Sequence, residues 1–465
     1  MNIIEGRRAV IWSAVEKVGT FSINFIIQIT LARLLMPSDF AVVSMLAIFI
    51  SVAQVFIDGG LATVLIQKQD CSSSDYNSVY LFNIFIALFL YLIFFIVAPY
   101  IEQFYEVQDL TRVIRVYFIV LLVNSFAMIS RLQLIKQLKF KKLAKINVYA
   151  LVLSAIPTIL LAYNGCKYWS LVCQSILSTL IMSIGYIISA RWRPDFRFSL
   201  EALKSLMPFG IRVFVVDLFN SIYNNLYNLL IGKRYQISDV GYYDRGKSLA
   251  SMGPIGFSDF FMRALYPIQS KIQSQEDLNN SYNRSFEICC LFILPLSVFV
   301  SVFSKEVISF LYGEKWLQAD YMVSIMCLGF MLYPLHSLNV NILKVKARGD
   351  FLLKSELFKK IFGILLALIL IRFNIRILII GWLLSSIIDF LISEVYLYKL
   401  SGFTLKKSLM KFVQIFLVSI SLALLLKFIL MKLISNTSIV LLLGVIVFAF
   451  IYLIMYGKRI MNNIS

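Results

Sequence analysis

The sequence predicts an all-α, polytopic membrane protein of about fourteen transmembrane helices, read in windows of about 19 residues. Three observations carry this. Of the 465 residues, 60% are hydrophobic and only 15% are charged, against about 45–50% and 25% in soluble domains. Mean hydropathy is +0.83. Apolar runs of helix-spanning length recur from end to end, and the second half repeats features of the first.

The spans fall near residues 11–35, 40–66, 78–100, 113–134, 144–164, 168–190, 207–231, 241–268, 285–304, 320–343, 352–372, 376–398, 409–431 and 437–456. Spans one, seven and eight are the least apolar. Pro157, Pro254, Pro295 and Pro334 lie in or near spans, where proline kinks a helix.

Loop charge alternates. The loop after span four, "RLQLIKQLKFKKLAK", has six basic residues and no acid, and those after spans six and ten carry four basic residues each. "IEQFYEVQD", after span three, is purely acidic. The positive-inside rule then places both termini in the cytoplasm. The net charge of +19 is read as a topology signal with some attraction to anionic headgroups, not as a nucleic-acid surface. The N-terminus lacks a cleavable signal, so the first span is expected to be a retained signal anchor. No loop is long enough for a separate catalytic domain.

The repeat has an offset of 200 residues. "LARLLMPSDFAVVSM" aligns with "LIGKRYQISDVGYYDR", so that Ser38-Asp39 falls on Ser238-Asp239, Arg33 on Lys233, Asn24 on Asn224 and Gln28 on Asn228. Further on, Asp58 lies near Asp259, and "VLIQ" near "YPIQ". A duplicated six-span unit keeps its orientation, and the halves are then related by an axis along the membrane normal. The expected organisation is a bundle over residues 1–190, a cytoplasmic linker over 191–206, a second bundle over 207–400 and a helix pair over 401–465. The block "LLIGKRYQISDVGYYDRGKSLA" becomes the turn between the first two spans of the second half.

Ionisable residues inside spans are costly and mark interior or wet positions. Span one has Glu16 and Lys17, span two Asp58, span seven Arg212 and Asp217, and span eight Arg245, Lys247, Asp259 and Arg263. Asp217, Asn220, Asn224 and Asn228 recur at three- and four-residue steps and form one polar stripe, lining a cavity or facing a polar helix. Each has a plainer reading. Glu16 and Lys17 fit an interfacial position. Asp58 in "DGG" fits a helix cap. Arg245 and Lys247 fit snorkelling side chains, Tyr242 and Tyr243 belt aromatics, and His336 a packed polar group. Glu287, Asp389 and Glu394 lie in later spans.

Catalysis finds little support. There is one histidine, and the six cysteines form no CxxC pair, so no metal or haem ligand set is expected. "GEKW" lacks the spacing of a phosphate loop. No nucleophile–base pair stands out, and neither an enzyme nor a cofactor is expected.

At this point the chain resembles the WzxC-like branch of the Wzx-type polysaccharide flippases, within the multidrug/oligosaccharidyl-lipid/polysaccharide exporter superfamily. The matching stretches are "LARLLMPSDFAVVSMLAIFISVAQVFIDGGLATVLIQKQD", "RLQLIKQLKFKKLAKINV", "LLIGKRYQISDVGYYDRGKSLASMGP", "LYGEKWLQA" and "SLNVNILKVKARGDFLLKSELFKK". Their order and spacing cover nearly the whole chain. The resemblance implies two six-helix bundles and a trailing helix pair around a central cavity, as in multidrug exporters of that superfamily. It implies a bacterial inner-membrane protein that flips undecaprenyl-pyrophosphate-linked oligosaccharide to the periplasmic leaflet, for O-antigen, capsule or exopolysaccharide assembly. Alternating access, H+ or Na+ coupling, and a polysaccharide polymerase and chain-length regulator as partners are implied in the same way. In similar sequences an Asp stands two residues ahead of the leucine pair of "LLIGK"; here the residue is Tyr227, and no role resting on that acid carries over.

The chemistry fits independently. A pyrophosphate cannot cross hydrocarbon unaided, and cations in a wet cavity bind it by charge-assisted bonds. Lys17, Arg212, Arg245, Lys247 and Arg263, with Asn220, Asn224 and Asn228, are therefore the expected substrate-binding residues. Glu16, Asp58, Asp217 and Asp259 are expected to balance charge or carry a coupling ion. The alternatives are a cation-coupled drug exporter, which favours an acid-rich cavity, and a membrane enzyme of polysaccharide assembly.

Overall fold

The computed structural model describes the backbone of residues 3–346, 349–401 and 405–464, and the side chains of residues 19–346, 356–399 and 408–461. All regular structure among them is helical. The chain folds as two compact units, Met1–Gly241 and Tyr242–Ser465.

The first unit contains α1 (Ile3–Leu34), α2 (Pro37–Asp58), α3 (Leu61–Gln67), α4 (Ser73–Tyr105), α5 (Leu110–Tyr117), α6 (Ile119–Lys136), α7 (Phe140–Tyr163), α8 (Tyr168–Ala190) and α9 (Leu200–Arg234). The helix α10 (Ile237–Gln269) leads into the second unit, which continues with α11 (Gln275–Val302), α12 (Ser304–Leu311), a 3-10 turn (Glu314–Ala319), α13 (Asp320–Phe330), α14 (Tyr333–Val345), α15 (Gly349–Leu370), α16 (Ile375–Ser401), α17 (Leu405–Leu433) and α18 (Thr437–Ile464).

Ten helical segments among the described residues are long and apolar enough to cross a membrane. The helices α5 and α6 make one of them, and the stretch from Glu314 to Val345 another. The remaining long helices are α1, α9, α10 and α15, of 32, 35, 33 and 22 residues. Each of the fourteen expected spans thus falls on helical structure, ten of them in segments long and apolar enough to cross. Pro334, at the start of α14, follows the break after α13. Pro157, Pro254 and Pro295 lie within α7, α10 and α11.

Local chemistry sets the boundaries. Ser72 caps α4, its hydroxyl accepting from the Asp75 amide at 3.1 Å while Asp75 accepts from the Ser72 amide at 2.9 Å; this reciprocal pair is a capping box. Ser199 and Ser274 cap α9 and α11.

The two segments matched at an offset of 200 residues have the same local structure. The helix α1 ends at Leu34 and α9 at Arg234; α2 begins at Pro37 and α10 at Ile237. Asp39 Oδ2 accepts from the Met36 amide at 2.9 Å, and Asp239 Oδ2 from the Gln236 amide at 3.1 Å. The turn is shorter than expected, because "GYYDRGKSLA" is already helical. Tyr242 and Tyr243 are buried and not belt aromatics. Tyr242 donates to the Lys315 carbonyl at 3.3 Å and meets Trp316 edge-on.

In the first unit α9 packs on α2, α3 and α4, while α7 packs on α1 and α8. The α2–α3 connection Gly59-Gly60 is left-handed at both residues. A Cβ on Gly60 would collide with the Gly210 carbonyl, so glycine is required where α3 meets α9. In the second unit α11 is central, packing against α13, α14, α17 and α18. Its Phe286 and Cys290 are fully buried with Leu338 of α14, Leu397 of α16 and Ile415 of α17.

Candidate functional site

The first unit gathers polar side chains where α2, α6 and α9 meet. Ser44, Ser51 and Asp58 recur on α2 at seven-residue steps and share a face, with Gln54 beside them. Gln54 accepts from Asn124 of α6 at 2.9 Å. Asn225 of α9 donates to the Ser51 hydroxyl at 3.0 Å, and Asn228 to the Ser44 carbonyl at 3.4 Å. Such bonds hold helices together where lipid offers no alternative partner.

Asp58 ends α2, and its Oδ1 accepts from the Ala62 amide at 3.2 Å. The capping role is thus present. The carboxylate also has charged neighbours, Asp217 of α9 and Arg131 of α6. Asp217 and Asn220 are half-buried, Asn224 is exposed and Asn228 is buried. The stripe divides: Asn228 faces α2, whereas Asp217 and Asn224 are more open. Arg212 is exposed. Its five-residue step from Asp217 turns it to another face of α9, so it does not join the stripe.

In the second unit, Arg245 is paired with Asp244 at 2.6 Å. Lys247 lies 5.9 Å from the Tyr243 ring centre and has Asp244 as a charged neighbour. Asp259 is half-buried and lies near Tyr333 of α14; Arg263 is exposed. Asp259 and Arg263 are one helical turn apart and share a face. Lys247 and Asp259 are separated by about 18 Å along the helix. The expected cations of α10 therefore form two stations. The side chains of Glu16 and Lys17 lie outside the described residues.

Sequence reasoning passed over Ser51, Gln54 and Asn124. Their signal was available: Ser44, Ser51 and Asp58 keep a helical repeat. It also left unresolved which buried acids have cations. Glu287 of α11 is bonded to both Lys411 of α17 and Arg459 of α18. Glu306 of α12 pairs with Lys427 of α17. His336 of α14 packs with Glu356 and Lys359 of α15, in keeping with a packed polar group. Among the described residues no three metal-ligating side chains come together. All six cysteines are free.

The chain is 23% identical over 355 residues to the lipopolysaccharide biosynthesis protein WzxC of Escherichia coli K12, an alignment covering 75% of this chain and 71% of that protein. It is 24% identical to the teichuronic acid biosynthesis protein TuaB of Bacillus subtilis 168, over 64% of this chain and 62% of that one. The succinoglycan biosynthesis transport protein ExoT of Rhizobium meliloti 1021 is 24% identical, over 67% and 63% respectively. The fold is similar to that of the lipid II flippase MurJ in an inward closed conformation, with a TM-score of 0.76 at 16% identity, covering 97% of this chain and all of that one. It is also similar to an inward-facing multidrug transporter of the MATE family in the MOP superfamily, with a TM-score of 0.61 at 16% identity, covering 85% and 99%. Residues 30–321 match the model of the polysaccharide biosynthesis protein family; the chain belongs to that family, as a multi-pass, all-helical membrane protein with a flippase-like fold.

Proposed function

We propose that this protein flips an undecaprenyl-pyrophosphate-linked oligosaccharide from the cytoplasmic to the periplasmic leaflet of a bacterial inner membrane. The observation that carries this reading is family membership, joined to half-buried charges and amides within the helices of that fold. An anionic headgroup needs cations, and a glycan needs amide and hydroxyl partners. Arg245, Lys247, Arg263 and Arg212, with Lys17, supply the first; Asn220, Asn224 and Asn228 supply the second. Asp58, Asp217, Asp259 and Glu16 balance the charge or carry a coupling H+ or Na+.

The separation of the two stations on α10 supports successive contacts with one headgroup, as alternating access requires. Both termini are cytoplasmic in this reading. Bundles over 1–190 and 207–400, the linker 191–206 and the helix pair 401–465 complete it, with a polymerase and a chain-length regulator as onward partners. The protein acts as a transporter, not an enzyme.

The test is leaflet assignment of the lipid-linked repeat unit in cells lacking the protein. Inverted and right-side-out vesicles are probed with a membrane-impermeant glycan reagent. Accumulation on the cytoplasmic face, relieved by the wild-type gene, is expected. Unchanged periplasmic delivery, in a strain with no second flippase, would overturn the reading and favour drug export.

A further inference from the structure

The second unit buries several glutamates in its helices, and one differs from the rest. Glu287 and Glu306, each under 7% exposed, meet lysine or arginine at hydrogen-bond range. Glu356 meets Lys359 and His336. Glu394 of α16 is 2% exposed, and its partners are neutral: Oε1 lies 3.0 Å from Asn339 Nδ2 and 3.2 Å from the Tyr282 hydroxyl. Among the described residues Oε2 has no hydrogen-bond partner. None of the carboxyl's hydrogen-bond partners among the described residues is a cation. An unpaired carboxylate so placed carries a heavy desolvation cost.

The proton count around it is short by one. The two amide hydrogens of Asn339 go to Ser393 Oγ and Glu394 Oε1, both at 3.0 Å. The Ser393 hydroxyl donates to the Phe390 carbonyl at 2.7 Å. The Tyr282 hydroxyl has one proton to give, and both Asn339 Oδ1 at 2.7 Å and Glu394 Oε1 at 3.2 Å lie within its reach. The shorter contact takes that proton. The Tyr282–Glu394 contact then joins two oxygens, and a proton on the carboxyl completes it.

We infer that Glu394, with Tyr282 and Asn339, is a proton-binding site of the second unit, loaded in the state described and emptied in another. Releasing the proton leaves a carboxylate that Tyr282 can serve only by turning its hydroxyl away from Asn339. The site thereby ties α16 to α11 and α14 differently in its two forms. Titratable neighbours are Cys289, Cys290 and Glu287 on α11, Glu287 being held by Lys411 and Arg459. His336 lies on α14 one turn before Asn339, and Glu356, Lys359 and Lys360 lie on α15 near Asp389 of α16. Cys327 is on α13, whose Asp320 and Tyr321 are at the far end, with Arg376 over the Tyr321 ring. The use of such a site in transport rests on the flippase reading; the site itself does not.

The test has two arms. In the first, infrared difference spectra of the purified protein in lipid nanodiscs are recorded across a pH step. A carboxylic-acid C=O band is expected in the wild type, lost in Glu394→Gln and shifted in frequency in Tyr282→Phe. No titrating band in the wild type, or an identical band in both variants, overturns the site. In the second, proteoliposomes carry a fluorescent undecaprenyl-pyrophosphate disaccharide. Glu394→Gln is expected to equilibrate the probe without a pH gradient and to lose the acceleration that a gradient gives the wild type. Equal acceleration of both overturns the use of the site in transport and leaves flipping intact. No probe movement by the wild type overturns the flippase reading, and the infrared arm still decides the site.

Discussion

Lys427 Nζ lies 2.9 Å from Glu306 Oε2 and 2.7 Å from the Val302 carbonyl. One ammonium of α17 thus neutralises a buried acid at the start of α12 and satisfies a carbonyl at the end of α11. Removing it strands Glu306, which is 2% exposed. Lys427→Met is expected to cost about 3–5 kcal/mol, read as lowered thermal stability in detergent. Adding Glu306→Gln should recover most of the loss, because no charge then remains buried.

Asn225 and Ser51 test the α2–α9 seam. Each single alanine variant should be mildly destabilised. A double-mutant cycle should return a coupling of about 0.6 kcal/mol, the size usual for side-chain bonds between membrane helices. A coupling of zero would separate the geometry from any energetic role.

Asp39 and Asp239 fill the same place in the two copies of the duplicated turn. Alanine at either removes the acceptor for one helix-start amide, at about 1 kcal/mol. Asp39 is buried and Asp239 half-buried, so Asp39→Ala should be the more damaging in thermal melts. This pair was legible in the sequence: an Asp three residues after a helix break, repeated at a fixed interval, is a local signal. The spans were legible for the same reason, since hydropathy is a property of short windows. The pairing of Glu287 with Lys411 and Arg459 was not. It joins residues 124 and 172 positions apart, and a charge in a span looks the same whether its partner is present or absent. Tyr242 and Tyr243 misled for a related reason. Beside a turn they suit a membrane surface, and only Trp316, brought in from a distant segment, makes their site an interior one.

Gly60→Ala is expected to unfold the α3–α9 contact. The residue is left-handed, with φ of 71°, which costs an L-residue about 1–2 kcal/mol. The added methyl would also meet the Gly210 carbonyl and lie 3.0 Å from the Phe214 amide nitrogen. Poor membrane insertion or a large drop in melting temperature is the expected readout.

Arg212 and Arg263 are both exposed and lie on different helices. If each makes one charge-assisted bond to a phosphate, worth about 1.5–3 kcal/mol, single alanine variants should slow export roughly tenfold, with normal expression. Unchanged export in the double variant would remove both from the substrate path.

The two copies of the turn have also become unequal partners. Position 41 is a fully buried alanine, while its counterpart is Gly241, where a methyl would run into the Pro37 carbonyl. Each copy now serves as the surface the other is moulded to. A recombination event that overwrote the second copy with the first would carry alanine into that contact and jam it. The closeness of the two backbones thus works as a lock: it admits glycine at position 241 and shuts out the alanine that position 41 carries.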